Sequence, residues 1–249
     1  MRPTPATRGG LLHQQGLVEV KEDRAHDQTV TMPSHGLARI RAMVAVEWCD
    51  ELDFAVGWIH PEPGWMQRAG HAVRSGGGVW VIDPPGGAGV LERIRELGEP
   101  AGVVQLLDRH PRDCERIAEQ LGVPLYDVPT YGVYDAPFEV VPVLRTPVWK
   151  EVALWFAREK TLVCADLLAA APGYTAPNER LGVHPFLRVP LPREVAGLPA
   201  EHLLLGHGPG VHGAETQEAI RCAFHVARRN LPVYAAGQGW RVLRSAVGR

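Results

Sequence analysis

Cysteine is scarce in this chain of 249 residues. The four present (Cys49, Cys114, Cys164 and Cys222) stand far apart, with no Cys-x-x-Cys spacing. That excludes a zinc ribbon and a disulfide scaffold. It leaves small buried thiols in a reducing compartment, so the expected localisation is cytoplasmic. Long apolar runs are missing too: none approaches the roughly 20 residues of a membrane helix, and the N-terminus lacks the apolar core of a signal peptide. Charge of one sign is also missing, with 26 Lys and Arg against 28 Asp and Glu. A net charge of −2 gives no general attraction to nucleic acid or to an anionic membrane. The expected partner is a small-molecule substrate or an anionic ligand. What remains is ordinary for a globular chain: 45% hydrophobic and 22% charged, with ample core for one large domain.

Residues 1–42 show no sustained period and little apolar content, and read as a flexible leader or a translated upstream extension. The domain is expected over 43–249. Its first segments, AVEW and LDFAVGWI, read as strands joined by a tight Cys49-Asp50-Glu51 turn. AGHAVRS and VWVID flank a glycine-rich hairpin turn. GVLERIREL has helical spacing and stops at Gly98. GVVQLL is a short buried strand, and RDCERIAEQLG a helix with Cys114, Ile117, Ala118 and Leu121 on one face. VPLYDVP, FEVVPVL, EVALWFA and TLVCAD read as strands. A proline-rich stretch from Leu168 to about Pro192 reads as loop, HLLLGHG as a strand, and ETQEAIRCAFHVARR as an amphipathic helix. Two strand-rich halves with helices outside predict sheet packed on sheet, each covered by helices.

Four apolar runs end in polar groups that can hold metal or protons. VWVID ends in Asp83. GVVQLL runs into Asp108 and His110, with Asp113 behind. TLVCAD ends in Asp166, and HLLLGHG in His207. Strand ends at one sheet edge converge on a single pocket, and mixed carboxylate and imidazole donors suit Zn²⁺, Mn²⁺ or Fe²⁺. The competing reading is structural: Asp commonly caps helices, and Asp113 stands where a first-turn carboxylate favours a helix.

In this order of segments (VWVIDPP, QLLDRHPRDCERIAEQLGVPLY, EVALWFAREKTLVCADLL and LLLGHG) the chain resembles the metallo-β-lactamase fold superfamily from about Leu52 onward. The resemblance implies an α+β fold, a four-layer αββα sandwich with two mixed β-sheets packed face to face and helices outside. It implies metals at one edge and water attack on an ester, amide, thioester or phosphoester. The family's His-x-His-x-Asp-His motif falls on Asp108-Arg109-His110-Pro111-Arg112-Asp113, where His110 matches and Arg112 replaces the Asp. Trp149 stands about where the next family His belongs. Asp166 matches the bridging Asp, His207 the final His, and Asp83 a family Asp that braces the metal loop.

Trp149 has no lone pair to give and Arg112 is permanently cationic, which argues against two metals. Two readings stay open. In the first, one divalent metal is held by His110, Asp113, Asp166 and His207, with Asp108 as general base and Arg112 stabilising an oxyanion or gripping an anionic substrate. In the second there is no metal: a non-catalytic binding or regulatory protein keeps the pocket, and Arg112 pairs with Asp108, Asp113 or Asp166 in place of metal charge. His60, His71, His184, His212 and His225 carry no ligand spacing, although His184 and His212 lie on loops that would flank the site.

Overall fold

The computed structural model describes residues 44–61 and 66–237, all within one compact unit, Ser34–Arg249. The leader expected over 1–42 lies outside the described residues, as do residues 62–65 of the HPEPGW loop.

Six strands make the first sheet: β1 (Glu47–Leu52), β2 (Ala55–Ile59), β3 (Ala69–Ser75), β4 (Gly78–Ile82), β5 (Pro100–Gln105) and β6 (Leu125–Asp127), in that spatial order. The β1 to β4 meander is antiparallel, and β5 and β6 join parallel. The second sheet runs β13-β12-β9-β8-β7. It is built from β7 (Glu139–Thr146), β8 (Trp149–Phe156), β9 (Thr161–Cys164), β12 (His202–Leu205) and β13 (Val211–His212). It is mixed as well, since β12 lies parallel to β9. A small ribbon of β10 (Leu168–Ala169) and β11 (Gly182–Val183) stands apart.

The runs AVGWI of β2 and TLVC of β9 are buried along their whole length. Such strands are covered on both faces, which is why they read as continuous apolar runs rather than alternating ones. Helices α1 (Val90–Leu97) and α2 (Cys114–Leu121) cover the first sheet, with Val90, Ile94, Cys114, Ile117 and Ala118 packed on Val56, Trp58, Val79, Val81 and Val103. Gly122 ends α2 in the left-handed region, φ 70°, and returns its N–H to the carbonyls of the last turn. The larger core lies between the sheets. It extends under α3 (Arg193–Ala196) and α4 (Thr216–Val226) through Val195, Ile220 and Phe224. The expected four-layer αββα sandwich with two mixed sheets is therefore observed.

One local expectation fails. The turn between the first two strands is not Cys49-Asp50-Glu51: β1 continues to Leu52, which pairs with Ala55, and the chain reverses at Asp53-Phe54. The register is irregular between Cys49 and Leu52, and Asp50 has a positive φ of 51°. A buried contact made by Asp50, considered below, overrides its turn preference.

The sheets meet along one edge. Ala69 N donates to Gly206 O at 2.9 Å, Asp108 N to Lys150 O at 3.1 Å and Val152 N to Leu106 O at 2.9 Å. The polar strand ends gather at this edge.

Candidate metal centre

Asp83 follows β4, His110 follows the turn after β5, Asp166 follows β9 and His207 follows β12. Parallel pairing of β12 with β9, Leu205 opposite Cys164, sets Asp166 and His207 side by side. Gly206 permits the approach: a Cβ there would lie 2.8 Å from the carbonyl oxygen of Ala165. His110, Asp166 and His207 are all buried and offer donor atoms within 4.8 Å of one another. Asp166 Oδ1 is 3.2 Å from His110 Nε2 and 3.0 Å from His207 Nε2, and the two Nε2 atoms are 3.4 Å apart.

The other ring nitrogens decide what these contacts are. His110 Nδ1 faces Asp83 Oδ2 at 3.1 Å, and His207 Nδ1 faces the Met66 carbonyl at 2.7 Å. Carboxylate and carbonyl oxygens only accept, so each Nδ1 carries its ring proton. A neutral imidazole then presents a lone pair at Nε2. Two such lone pairs and a carboxylate oxygen converge, an arrangement that repels itself unless a cation lies among them. Bonds of about 2.0–2.2 Å to one divalent ion at angles of about 90–110° put neighbouring donors roughly 2.8–3.6 Å apart, and the triangle fits that range. Asp83 in turn accepts Leu106 N at 2.8 Å, so His110 is oriented by a carboxylate that is itself fixed.

Charge follows the same geometry. Burial opposes the Asp166 carboxylate, but the two imidazoles outweigh it and hold Asp166 well below the usual carboxylate range. For His110, burial and then Arg112 disfavour the imidazolium, yet Asp166 and Asp83 prevail and raise its pKa. For His207 burial wins and the pKa falls.

Three groups support the cluster: Glu151 and Tyr174, which the sequence pattern does not mark as site residues, and His184, on a loop expected to flank the site. Glu151, on β8, is fully buried. Its Oε1 accepts Asp166 N at 2.9 Å and Leu167 N at 2.7 Å, and its Oε2 accepts the Trp149 indole N–H at 2.9 Å. Burial, then the Asp166 charge, push its pKa up to about 8. Alternation along WKEV was the available signal, since it puts Glu151 on the same inward face as Trp149. Tyr174 donates to Asp166 Oδ1 at 3.1 Å and lies 4.7 Å from the His207 ring. His184 brings Nε2 to 3.9 Å from Asp166 Oδ2 while its Nδ1 accepts Phe186 N at 3.3 Å. It therefore carries its proton on Nε2, the opposite tautomer from the other two, and burial holds its pKa near 4. Tyr174 and His184 come from the proline-rich stretch. Arg188, fully buried, fixes that stretch by pairing with Glu179 at 2.8 Å and with the carbonyls of Tyr174, Val183 and Ala227.

The remaining expected site residues are placed differently. Asp113 is not brought to the cluster: its Oδ2 accepts Gly86 N at 2.8 Å and its Oδ1 faces Arg116 Nε at 3.2 Å, the structural role of a helix-leading carboxylate. Asp108 does not line the cavity above the cluster. Its Oδ2 accepts Lys150 N at 3.1 Å and Arg109 lies 3.7 Å from Oδ1, so it joins the sheets. Arg112 lines the cavity, but it does not pair with Asp108, Asp113 or Asp166. Its guanidinium donates to the carbonyls of Ala69, Asp83 (2.8 Å) and Gly206 (3.0 Å). A left-handed φ of 40° at Arg112 directs the side chain there. Trp149 is buried, with His184 edge-on at 4.7 Å and the Arg109 guanidinium 3.9 Å above its ring.

No protein-family model matches the sequence, and no curated protein does either. Solved structures do match. The DIM-1 metallo-β-lactamase superposes with a TM-score of 0.50 at 12% identity, over 73% of this chain and 98% of that one. TMB-1 gives 0.49 at 12% identity, over 74% of this chain and 98% of that one. FIM-1 from Pseudomonas aeruginosa, in its mono-zinc form, gives 0.48 at 12% identity, over 74% and 96%. The chain has the metallo-β-lactamase fold.

Proposed function

We propose that the protein is a hydrolase that holds one divalent metal between His110, Asp166 and His207 and acts on a small anionic ester, thioester, amide or phosphoester. The observation that carries this reading is the convergence of two tautomer-fixed Nε2 lone pairs on one oxygen of a buried aspartate. Two imidazoles and one carboxylate suit Zn²⁺, Mn²⁺ or Fe²⁺ and leave open coordination positions. A bound ion of this kind supplies Lewis acidity and water with a lowered pKa.

The chain's own residues supply the rest. A cavity of about 390 Å³ lies over the cluster, bounded by Met66, Arg68, Arg109, Arg112 and Tyr174. Asp166 is the sole carboxylate among the described residues lining it, against three guanidiniums, which favours an anionic substrate. Arg109 is held for that task by the Trp149 ring and the Val148 carbonyl at 3.2 Å, and it replaces Arg112 as the anion-gripping group. The Tyr174 hydroxyl, whose pKa is raised by burial and by Asp166, stays protonated and orients Asp166. The His184 Nε2–H presents a second donor beside the same carboxylate.

A metal-free binding pocket is the second reading, favoured by the raised pKa of His110 between two carboxylates, where a proton would replace the ion. Elemental analysis separates the two. Protein purified without chelator should hold about one metal per chain and lose it in His110→Ala and His207→Ala. A metal-free preparation that also refuses Zn²⁺, Mn²⁺ and Fe²⁺ on reconstitution would overturn the hydrolase reading. A reconstituted protein inert toward a panel of anionic esters, thioesters, amides and phosphoesters would overturn the substrate class alone.

A further inference from the structure

On the outer face of the second sheet, α4 and the segment Leu191–Gly197 enclose a groove of about 430 Å³. Its walls carry Arg193, Arg221, His225 and Arg228, and its floor carries Leu191 and Phe224. Arg221, His225 and Arg228 recur at helical spacing, so they share one side of α4 and the turn that follows it. No carboxylate is among the described residues lining this groove, although acidic residues outnumber basic ones in the chain. Arg193 and Arg221 make no ion pair among the described residues. Arg228 is held in place: its Nε donates to the Arg188 carbonyl at 3.3 Å and its terminal nitrogen to the Val189 carbonyl at 2.6 Å.

Three guanidiniums around one concavity repel each other, and an anion relieves that repulsion. Guanidiniums match phosphate oxygens in pairs, and the fixed Arg228 lowers the ordering cost of binding. The groove is concave and of small-ligand size, which favours a soluble molecule over a flat lipid surface. Its apolar floor asks for more than a bare ion. We infer that this groove is a second binding site, separate from the metal centre, for a small phosphate monoester bearing an apolar group. None of its residues lines the cavity over His110, Asp166 and His207.

Titration of the chelator-treated full chain with 1-naphthyl phosphate, so that the cavity over His110 and His207 cannot hydrolyse the phosphoester, tests the inference by probe fluorescence and calorimetry. One probe should bind per chain, with about tenfold or greater weakening in Arg193→Ala/Arg221→Ala, as expected when charge-assisted contacts are removed. Arg221→Glu alone should weaken binding at least as much, and its exposed position keeps the fold intact, which a far-ultraviolet melt checks. In the chelator-treated protein His207→Ala should leave the affinity unchanged, and uncharged 1-naphthol should bind at least tenfold more weakly. The inference is overturned by no saturable binding, by equal affinity in the arginine variants, or by equal affinity for 1-naphthol. Loss of binding in His207→Ala would move the probe to the metal cavity and overturn it too. Arginine-dependent sedimentation with phosphatidylserine vesicles, without binding of the soluble probe, would replace the small-molecule site by a membrane face.

Discussion

Among the described residues, two aspartates with buried side chains each meet two imidazole nitrogens within 3.2 Å, and they do opposite things. At Asp166 both imidazoles spend their N–H groups elsewhere and turn lone pairs toward one oxygen. At Asp50 the imidazoles are divided between the two oxygens. His71 Nε2 meets Oδ2 at 3.1 Å, and His212 Nε2 meets Oδ1 at 2.9 Å beside Gly210 N at 2.8 Å. There the ring nitrogens donate, every contact is a satisfied hydrogen bond, and β1 and β3 of the first sheet are tied to β13 of the second. Residue types are the same in the two clusters. What separates the candidate cation site from a structural tie is that His110 and His207 already spend their Nδ1 protons on fixed acceptors.

The largest expected effect is at Asp166. Asp166→Asn removes the one charged donor, so metal content measured after desalting should fall from about one per chain to none. Its new amide can donate to an imidazole lone pair, so stability in chelator should not fall. A variant that still retains metal would dissolve the distinction between the clusters. Asp50→Ala should do the reverse, costing about 3–5 kcal/mol in urea unfolding with metal content preserved, since it strips the partner from buried donors. The pH dependence has a fixed sign. Burial opposes the Asp50 carboxylate, but His212 and His71 overcome it and hold its folded-state pKa far below the unfolded value near 3.8. Its contribution is therefore complete above that unfolded value and is lost as pH falls further. The gap between wild type and Asp50→Ala should narrow only in strong acid.

Glu151→Gln comes next. An amide in that place sets its NH₂ against donors at one end, and the Asp166 loop loses its brace. Metal affinity by competition with a chromophoric chelator should weaken about 10- to 100-fold. An unchanged affinity would show that Asp166 needs no positioning. Tyr174→Phe should be smallest, about 1 kcal/mol of stability and a few-fold loss of affinity, because one hydrogen bond goes and the ring contact with His207 stays.

The strand ends were the legible part of the site. Each of Asp83, His110, Asp166 and His207 closes or follows an apolar run, and sheet pairing carries those ends to one edge. Asp113 was misread because sequence spacing does not reveal the left-handed turn at Arg112 that separates it from His110 and leaves it to hold Gly86 and Arg116. Arg112 was misread for a related reason. Its charge suggests carboxylates as partners, whereas three carbonyls at strand ends were nearer. Glu151 was hidden inside an apolar strand. Tyr174 and the tie at Asp50 depend on segments returning from far along the chain, which local pattern does not encode. The helices α1 and α2 fell where period and terminal glycine put them, and α4 where its period did.

The Arg112 guanidinium joins carbonyls of β3, of the residue after β4 and of the residue after β12, so it rivets the two halves of the sandwich at the rim of the cavity over His110, Asp166 and His207. A jaw locked at its lip does not yawn by spreading its sheets. Access to the cavity is left to the segments hung outside the rivet, the one bearing Met66 and Arg68 and the one bearing Tyr174 and His184. Exchange of one loop there would retune which molecules pass, while the donors beneath kept their places.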